Sequence, residues 1–433
     1  MLKKSIKKKL VLTFAKDYAI LYYTIYIRRF NLNMYNIIDL VKQKEAKIIQ
    51  IRRDLHQIPE LELSLPKTVD YVCKQLDALQ IPYHKLVNGN AIVALIEGKE
   101  KGKCMAIRAD MDALPIKENT GLSFASKHEG CMHACGHDGH MAMALGACMV
   151  LKELSSEFKG CVKILFQPGE EYPGGALPMI EEGCMKNPKV DAVIGLHAGY
   201  IYPGVEKGKI GACKGPFFAA ADKFKIIVKG YGAHGAYPHL SVDPVPIACE
   251  IVSGLQKIIS RELPPTSHAL ISVGQIHGGS AFNIIPEEVF IEGTVRSADE
   301  KERSFIAKRI EDLASGISKS YRAEAKTVYD FRYPVLLNDK GFTEFFIEST
   351  KEILGEDSIH EISVPTMAGE DMAYFLQKAP GTFFVLSNPI IQKDGSIYPH
   401  HSDKFDMDES LFYKGTTAVL AAVLKYLNLG GLK

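Results

Sequence analysis

The fold is decided by a strand, a helix and a strand within residues 103–166: KCMAIRA (103–109), GHMAMALGACMVLKEL (139–154) and CVKILF (161–166). The two outer segments are short apolar runs of the kind that form buried strands, and the middle segment has the length of a helix. Further strand-like runs occur at residues 91–96 and 190–196. This alternation of strands and helices predicts an α/β layer structure.

A different order of elements is predicted from about Lys214 to Tyr329. Strand and helix patterns follow one another as β-α-β-β-α-β, at residues 223–228, 244–259, 269–276, 289–296, 300–317 and 325–329. That order is typical of a ferredoxin-like sandwich. Because α/β elements resume afterwards, we expect residues 34–213 and 330–433 to form one domain, with residues 214–329 inserted into it.

Length and composition limit the possible functions. The chain has 433 residues, more than one hydrophobic core usually serves, so two domains are expected. Hydrophobic residues make up 46% and charged residues 24%, which excludes a collagen-like, wholly disordered or multi-span membrane protein. The formal net charge is +1, which gives no reason to expect a nucleic-acid partner. Function must therefore come from a local site.

Residues 1–33 differ in composition from the rest of the chain. They hold eight lysines and arginines but one acid, Asp17. Lys16 and Asp17 interrupt the apolar stretch and no small-residue cleavage site follows, so no stable membrane insertion is expected. We predict a non-core extension, or an upstream start that precedes a true start at Met34, rather than a membrane-surface anchor.

The cysteines indicate a reducing environment. Their number is nine, and the chain shows no good secretory signal, so we predict reduced thiols and a cytoplasmic location. Most of them lie in apolar runs, where cysteine acts as a small buried hydrophobe: Cys73, Cys104, Cys148, Cys161 and Cys249. Cys131 and Cys135 do not.

Histidine and cysteine are concentrated between His128 and His140. These thirteen residues hold four histidines and two cysteines, a density that indicates metal binding. Cys135 and His137 are two residues apart, so an extended backbone directs both side chains to one side. Two alternatives stay open at this point. One is a closed structural zinc site, and the other is a Cys/His nucleophile pair that uses Cys135. The structural site would draw its ligands from Cys131, His133, Cys135 and His137.

Polar side chains also follow the predicted strands, where ligands bind in open α/β sheets. Asp110 and Asp112 follow the second strand, Glu170 and Glu171 the third, and His197 the fourth. Adjacent residues of an extended chain point in different directions, so one glutamate can bind metal while the other acts as a general base. Two further histidines lie in a late loop: His400 and His401. Each residue alone is typical of a solvated surface or a turn, but their convergence favours a shared site.

Six motifs are similar to those of one family: RADMDALP (108–115), MHACGHDGH (132–140), QPGEE (167–171), GLH (195–197), GAHGAYPH (232–239) and PHHS (399–402). They resemble the metal-dependent amidohydrolases that include hippurate hydrolase, N-acyl-amino-acid amidohydrolases, auxin-conjugate hydrolases and N-acetyl-diaminopimelate deacetylases, within the aminoacylase and carboxypeptidase clan. The resemblance covers residues 36 to 428. It implies a mixed-sheet, zinc-peptidase-like catalytic domain (34–213 and 330–433) with an inserted ferredoxin-like lid or dimerisation domain (214–329).

The resemblance also implies the site. Two divalent ions, Mn or Zn, would be held by five ligands: Cys135, His137, Glu171, His197 and His401. Glu170 falls on the general acid/base, and Asp112 on a position that holds a metal-site group. His234 falls on a histidine that helps to polarise the scissile carbonyl, sometimes across a dimer interface, which implies a homodimer. Asn283 and Arg296 match positions that meet the substrate carboxylate or the reaction centre.

The expected reaction is hydrolysis of the amide bond of a small-molecule N-acyl amino acid to a carboxylate and a free amino acid. Two cations would activate a water molecule, and Glu170 would move its proton to the leaving amine. A dipeptidase or carboxypeptidase of the same clan is the first alternative. The second is a non-enzymatic metal-binding protein, which the presence of Glu170 disfavours.

Overall fold

The computed structural model describes residues 37–431. The predicted extension at residues 1–33 lies outside the described residues. The helices are α1 (Ile37–His56), α2 (Pro66–Ala78), α3 (His137–Glu153), α4 (Ala176–Glu181), α5 (Pro244–Lys257), α6 (Glu300–Ser320), α7 (Lys340–Leu354), α8 (Met372–Leu376) and α9 (Phe412–Leu429). The strands are β1 (Tyr83–Leu86), β2 (Ala91–Glu97), β3 (Cys104–Asp110), β4 (Cys161–Gln167), β5 (Ala192–Gly199), β6 (Ile210–Cys213), β7 (Pro216–Phe218), β8 (Ala220–Lys229), β9 (Ala233–His234), β10 (Ala269–Gly278), β11 (Ile284–Ile285), β12 (Glu288–Ser297), β13 (Glu324–Tyr333), β14 (Leu336–Leu337), β15 (Ile359–Ile362) and β16 (Gly381–Ser387).

The larger sheet has eight strands in the order β1-β2-β4-β3-β5-β16-β6-β15. Its centre, from β4 through β3 and β5 to β16, is parallel. Antiparallel pairs join β1 to β2, β2 to β4 and β16 to β6. The prediction of a mixed α/β sheet is therefore confirmed.

The larger sheet is covered on both faces, because successive residues of its strands point to opposite sides. On β3, Ile107 packs into a core with α1, α2, α3, α7 and α9, whereas Ala106 packs into a second core with α4 and α8. Burial on both faces explains why the central strands are mostly apolar without polar alternation; Arg108 of β3 and Lys163 of β4 are buried exceptions. The helices cover the two faces of the sheet but not the carboxyl ends of its central strands, which form the open edge.

The middle of the chain forms a separate four-stranded antiparallel sheet in the order β10-β12-β8-β13. Helices α5 and α6 pack on one face of it, with Phe224 and Ile226 of β8 against Ile251 and Ile306. The element order is the predicted β-α-β-β-α-β, and the strand order is that of a ferredoxin-like sandwich. Strands β7 and β14 pair with each other, so the chain enters and leaves this unit side by side. The domain boundaries and the lid role stay predictions.

Most predicted elements lie within a few residues of the observed ones, and two differences are instructive. Helix α1 was not predicted, although it contributes Ile48, Ile51 and Leu55 to the larger core. The helix predicted to reach residue 259 ends as α5 at Lys257 and continues as a π-helical turn at Ile258–Glu262. Within residues 37–431, no helix has both the length and the apolar character needed to cross a membrane.

Candidate active site

The carboxyl ends of three neighbouring parallel strands carry the predicted catalytic-domain residues. Asp110 ends β3 and lies opposite Gln167 at the end of β4, which leads directly into the loop of Glu170 and Glu171. His197 lies on the adjacent strand β5. Helix α3 begins at the same edge with His137, preceded by Cys135. The fold therefore gathers segments that are far apart in sequence.

The five predicted ligands form two groups of three that share Cys135. One group is Cys135, His137 and His197, and the other is Cys135, Glu171 and His401; within each group the ligand atoms lie within 4.8 Å of one another. Cys135 Sγ is 3.4 Å from His197 Nε2. Glu171 Oε1 is 3.1 Å from His401 Nε2. Two triads with a common thiolate are suited to a pair of neighbouring cations.

The two buried histidines are oriented as metal ligands. His137 Nδ1 lies 2.8 Å from the carbonyl oxygen of Asp112, and His197 Nδ1 lies 2.9 Å from that of Ala198. Each Nδ1–H therefore donates to the backbone and leaves Nε2 with a free lone pair. His137 Nε2 is buried and has no hydrogen-bond partner among residues 37–431. A divalent cation would satisfy this nitrogen, so the residues fit the implied metal.

His140 has a different role from the ligand histidines. Its Nδ1 lies 2.6 Å from Asp110 Oδ1, and its Nε2 accepts the N–H of Ala198 at 2.8 Å. Both ring nitrogens of His140 have hydrogen-bond partners, which leaves no lone pair free for a cation, although His140 lies with Asp110 and His137 in a further group of potential ligands. The structural zinc alternative also lacks support, because neither Cys131 nor His133 belongs to any potential ligand group found among the described residues.

Asp112 fixes the backbone of the two glutamates. Its Oδ1 accepts the N–H of Glu170 at 2.9 Å, and its Oδ2 accepts the N–H of Glu171 at 3.0 Å. The hydroxyl of Tyr333 donates to the carbonyl oxygen of Glu170 at 2.7 Å. The Glu170 carboxylate reaches towards the metal cluster, with Oε2 4.0 Å from His137 Nε2. Glu170 is thus held beside the ligands without belonging to either triad that contains Cys135.

The insertion-domain residues lie apart from this cluster. His234 is exposed on β9, and its Nδ1 accepts the N–H of Ala236 at 3.1 Å. Asn283 is exposed, and its carbonyl oxygen accepts the N–H of Gly235 at 2.8 Å. Arg296 is half-buried on β12. Across the part of the chain that the structure describes, no hydrogen bond or ion pair joins these three residues to the five ligands.

Comparison with known proteins identifies the family. Residues 106–425 match the model of the peptidase family M20/M25/M40. The chain belongs to this family. The predicted resemblance to metal-dependent amidohydrolases is confirmed, as is the prediction that the protein is an amidohydrolase enzyme. The predicted mixed α/β fold agrees with the solved structures of the family, while the inserted lid stays a prediction.

Relatives include both deacetylases and carboxypeptidases. N-acetyl-L-cysteine deacetylase of Bacillus subtilis is 39% identical over 378 residues, which are 86% of this chain and 86% of that protein. Thermostable carboxypeptidase 1 of Saccharolobus solfataricus is 40% identical over 393 residues, 90% of this chain and 97% of that one. The crystal structure of a Bacillus subtilis dinuclear metal binding peptidase from the M20 family matches with a TM-score of 0.77 and 31% identity, over 89% of this chain and 99% of that chain.

The electrostatics of the M20 site favour cations. Burial, together with the carboxylates of Glu171 and Glu170, raises the pKa of the Cys135 thiol well above its usual value. Burial opposes the protonation of His137, yet Asp110 and Asp112 raise its pKa to about 10. Nearby carboxylates contribute to the raised pKa of both groups, and a divalent ion would offset this negative charge by replacing the protons.

The sequence patterns assigned no role to three buried residues beside the proposed site: Arg108 of the RADMDALP motif, and Glu370 and Asp371 of a late acidic turn. Arg108 Nη2 lies 2.9 Å from Glu370 Oε1 and 2.8 Å from Asp371 Oδ1. The two acids and Glu170 form a further group of buried carboxylates. Burial, and then the charge of Glu370, raise the pKa of Glu170 well above its usual value. An arginine inside the buried strand β3 was the available signal, because a buried charge requires partners.

Proposed function

We propose that this chain hydrolyses the amide bond of N-acyl amino acids to give a carboxylate and a free amino acid. The observation that carries the proposal is the pair of ligand triads that share Cys135, set beside Glu170 at the open edge of the larger sheet. The similarity to an N-acetyl-L-cysteine deacetylase over most of both chains supports this substrate class.

Two divalent ions would be held by the five side chains of these triads: Cys135, His137, Glu171, His197 and His401. When bound, such ions supply Lewis-acid activation of a water molecule and stabilise the charge that develops on the amide oxygen. The shared thiolate suits zinc, and the carboxylate of Glu171 also permits manganese. We propose zinc or manganese as the cofactor.

Glu170 is proposed as the general base and acid. Its backbone is fixed by Asp112 and by Tyr333, which holds the residue beside the ligands. It would take a proton from the attacking water and deliver it to the nitrogen of the leaving amine. Burial favours the protonated form needed for the second step, and nearby cations would favour the ionised form needed for the first.

The insertion domain is proposed to complete the site as a lid or dimerisation domain. His234 would donate a hydrogen bond to the scissile carbonyl, and Arg296 would bind the carboxylate of the amino acid. Asn283 would contact either the substrate carboxylate or the reaction centre. Because these residues lie apart from the ligands in one chain, closure of the domain or a partner in a homodimer would bring them in. A cytoplasmic location and a small-molecule substrate remain part of this proposal.

A carboxypeptidase is the second candidate. It is favoured by the 40% identity to thermostable carboxypeptidase 1 across 97% of that protein. Both reactions hydrolyse an amide whose leaving group is an amino acid with a free carboxylate. They differ in whether the acyl side is a simple blocking group or a peptide.

The test is release of free amino acid from N-acetyl, N-benzoyl and longer N-acyl amino acids and from unblocked dipeptides, with added Mn²⁺ or Zn²⁺. Protein from which metal has been removed with a chelator serves as the control. We expect chelator-sensitive turnover of one blocked class. Turnover of dipeptides alone would assign the chain to the peptidases. No turnover of any substrate by metal-loaded protein would contradict the proposed substrate class.

A further inference from the structure

A buried arginine of α1 connects two segments that carry predicted metal ligands. Arg52 is fully buried, and its Nε lies 2.8 Å from Asp138 Oδ2. Its Nη2 lies 2.9 Å from Asp406 Oδ1, and its Nη1 lies 3.0 Å from Glu409 Oε1. Asp138 immediately follows the ligand His137, whereas Asp406 and Glu409 follow the loop of His401. One guanidinium thus bridges both segments.

The loop of His401 also packs directly on the ligand-bearing turn. A Cβ added at Gly136 would lie 2.9 Å from Met407 Sδ, and one at Gly139 would lie 2.8 Å from Met407 Cε. The glycines therefore leave room for Met407 over the start of α3. The N–H of His401 donates to the carbonyl oxygen of Ala134 at 2.9 Å. These contacts fix the distance between the loop and the turn.

His401 depends on this docking more than the other ligands do. Its side chain is 51% exposed, and its φ of 64° is in the left-handed region, which is unfavourable for histidine. His137 and His197, in contrast, are buried on regular elements, α3 and β5. Displacement of the loop would therefore move His401 and leave His137 and His197 in place.

The charges around Arg52 provide the force for such a displacement. Three carboxylates converge on it, and Asp138 among them is fully buried. Without the guanidinium, Asp406 and Glu409 would face Asp138 as like charges. His56 Nδ1, 2.8 Å from Asp138 Oδ2, would compensate only Asp138. Repulsion would then separate the loop from the start of α3.

We propose that Arg52 is a positioning residue for one of the two ion sites, the triad of Cys135, Glu171 and His401. The other triad, with His137 and His197, is largely independent of it. This inference rests on the proposed function, because it requires that the chain bind two divalent ions. It adds that the two sites differ in what holds them together.

The experiment is a calorimetric titration of chelated protein with Zn²⁺, comparing the wild type with Arg52→Gln and Arg52→Lys. We expect two sites in the wild type. In Arg52→Gln one site should keep its affinity and the other should weaken about 10- to 100-fold, the range for loss of a residue that orients a ligand. Arg52→Lys keeps the positive charge but cannot bind all three carboxylates at once. The zinc affinity of its weaker site should therefore lie between the values for the wild type and Arg52→Gln.

A matched control is the neighbouring Arg53→Gln. Arg53 also pairs with Glu409, at 2.6 Å, but its side chain is 43% exposed and it contacts neither Asp138 nor Asp406 among the described residues. It should bind zinc at both sites with wild-type affinity. If Arg52→Gln fails to fold, Asp406→Asn weakens the same bridge from the loop side, because it removes one of the two loop carboxylates that bind Arg52 while the pairs with Asp138 and Glu409 remain, so a smaller loss of affinity is expected. Zinc affinity should again fall only at the site of Cys135, Glu171 and His401.

The outcomes separate this inference from the proposed function. Wild-type affinity at both sites in Arg52→Gln, or in Asp406→Asn where Arg52→Gln fails to fold, would overturn the positioning role. Equal weakening of both sites would also overturn it, because that result would indicate a general structural role. A wild-type protein that binds no zinc or manganese would contradict the proposed metal site itself, and the inference would fall with it. In folded variants with one weakened site, kcat should fall while KM changes little, as expected for loss of a group that acts on the reaction step.

Discussion

The proposed site residues of the two domains differ sharply in how they are held. In the catalytic domain, Cys135, His137 and His197 are at most 5% exposed, and the two histidines lie on a helix and a strand and donate to backbone carbonyl oxygens. In the insertion domain, His234 is the exposed residue of the two-residue strand β9, and Tyr231, three residues earlier, is 66% exposed. One half of the proposed machinery is assembled in advance, and the other half requires movement or a partner.

This difference has a physical reason. Metal ligands must be placed within a few tenths of an ångström, which burial provides for Cys135, His137 and His197 and docking of its loop provides for the exposed His401. Groups that recognise a substrate must instead open to admit it, and they can lie on a separate unit that contributes its binding energy on closure. We therefore expect variants of the first group to change metal binding and variants of the second to change only kinetics.

The largest effect is expected for Cys135→Ala. Because both triads contain Cys135, the variant should lose both ions and with them essentially all turnover. Metal analysis after gel filtration measures the first and amine release the second. Cys148→Ala, at a fully buried thiol of α3, is the control and should keep both ions. Loss of activity with full metal occupancy would instead restore the Cys/His nucleophile interpretation.

Glu170→Gln should separate chemistry from metal binding. Glu170 belongs to neither triad that contains Cys135, so the variant should keep two ions while turnover falls by about 10²- to 10⁴-fold. The measurement is kcat with metal content determined on the same sample. Glu181→Gln, at an exposed position of α4, should be unaffected. Turnover near the wild-type value would refute the assignment of Glu170 as base.

His234→Ala tests the insertion domain directly. We expect kcat to fall by about 10²-fold, the usual effect of removing a donor to a developing oxyanion, with unchanged metal content. His239→Ala is a close control, because His239 is exposed in the same segment and should leave kcat unchanged. If His234→Ala released metal, the separation between the two domains would be wrong.

The sequence predicted those features whose signals are local. The strands of the larger sheet are apolar runs, and the rule that ligands follow strands at their carboxyl ends located Asp112, Glu170 and His197. The motif spacing located Cys135 and His137. These parts could be predicted because each depends on a few adjacent residues and on the regular geometry of strands and helices.

The features that were missed depend on partners distant in sequence. Helix α1 buries Arg52 and His56 on its apolar face, which obscures the hydrophobic pattern. Both side chains bind Asp138, more than eighty residues away. Asp371 likewise accepts a hydrogen bond from Arg108 across 263 residues. A buried charge is tolerated only beside a partner of opposite charge. When that partner is distant in sequence, the local residue pattern does not identify it.

Arg296→Gln should have the smallest effect and the sharpest signature. Arg296 is half-buried on β12 and has no ion pair with a carboxylate among the described residues. Its guanidinium is therefore available to donate hydrogen bonds to the carboxylate of a substrate. Loss of one charge-assisted hydrogen bond, about 1.5–3 kcal/mol, should lower kcat/KM by about 10- to 100-fold, mainly through KM.

The decisive comparison uses the same N-acyl amino acid with a free carboxylate and as its primary amide. If Arg296 binds the carboxylate, Arg296→Gln and the wild type should have the same kcat/KM on the amide substrate, because that substrate has no carboxylate for the arginine to bind. Lys223→Gln serves as control, since Lys223 and Arg296 line one cavity of the insertion domain, but Lys223 is paired with Glu292. An equal defect on both substrates would show that Arg296 supports the fold of the insertion domain. The insertion domain's part in substrate recognition would then have to rest on His234 and Asn283.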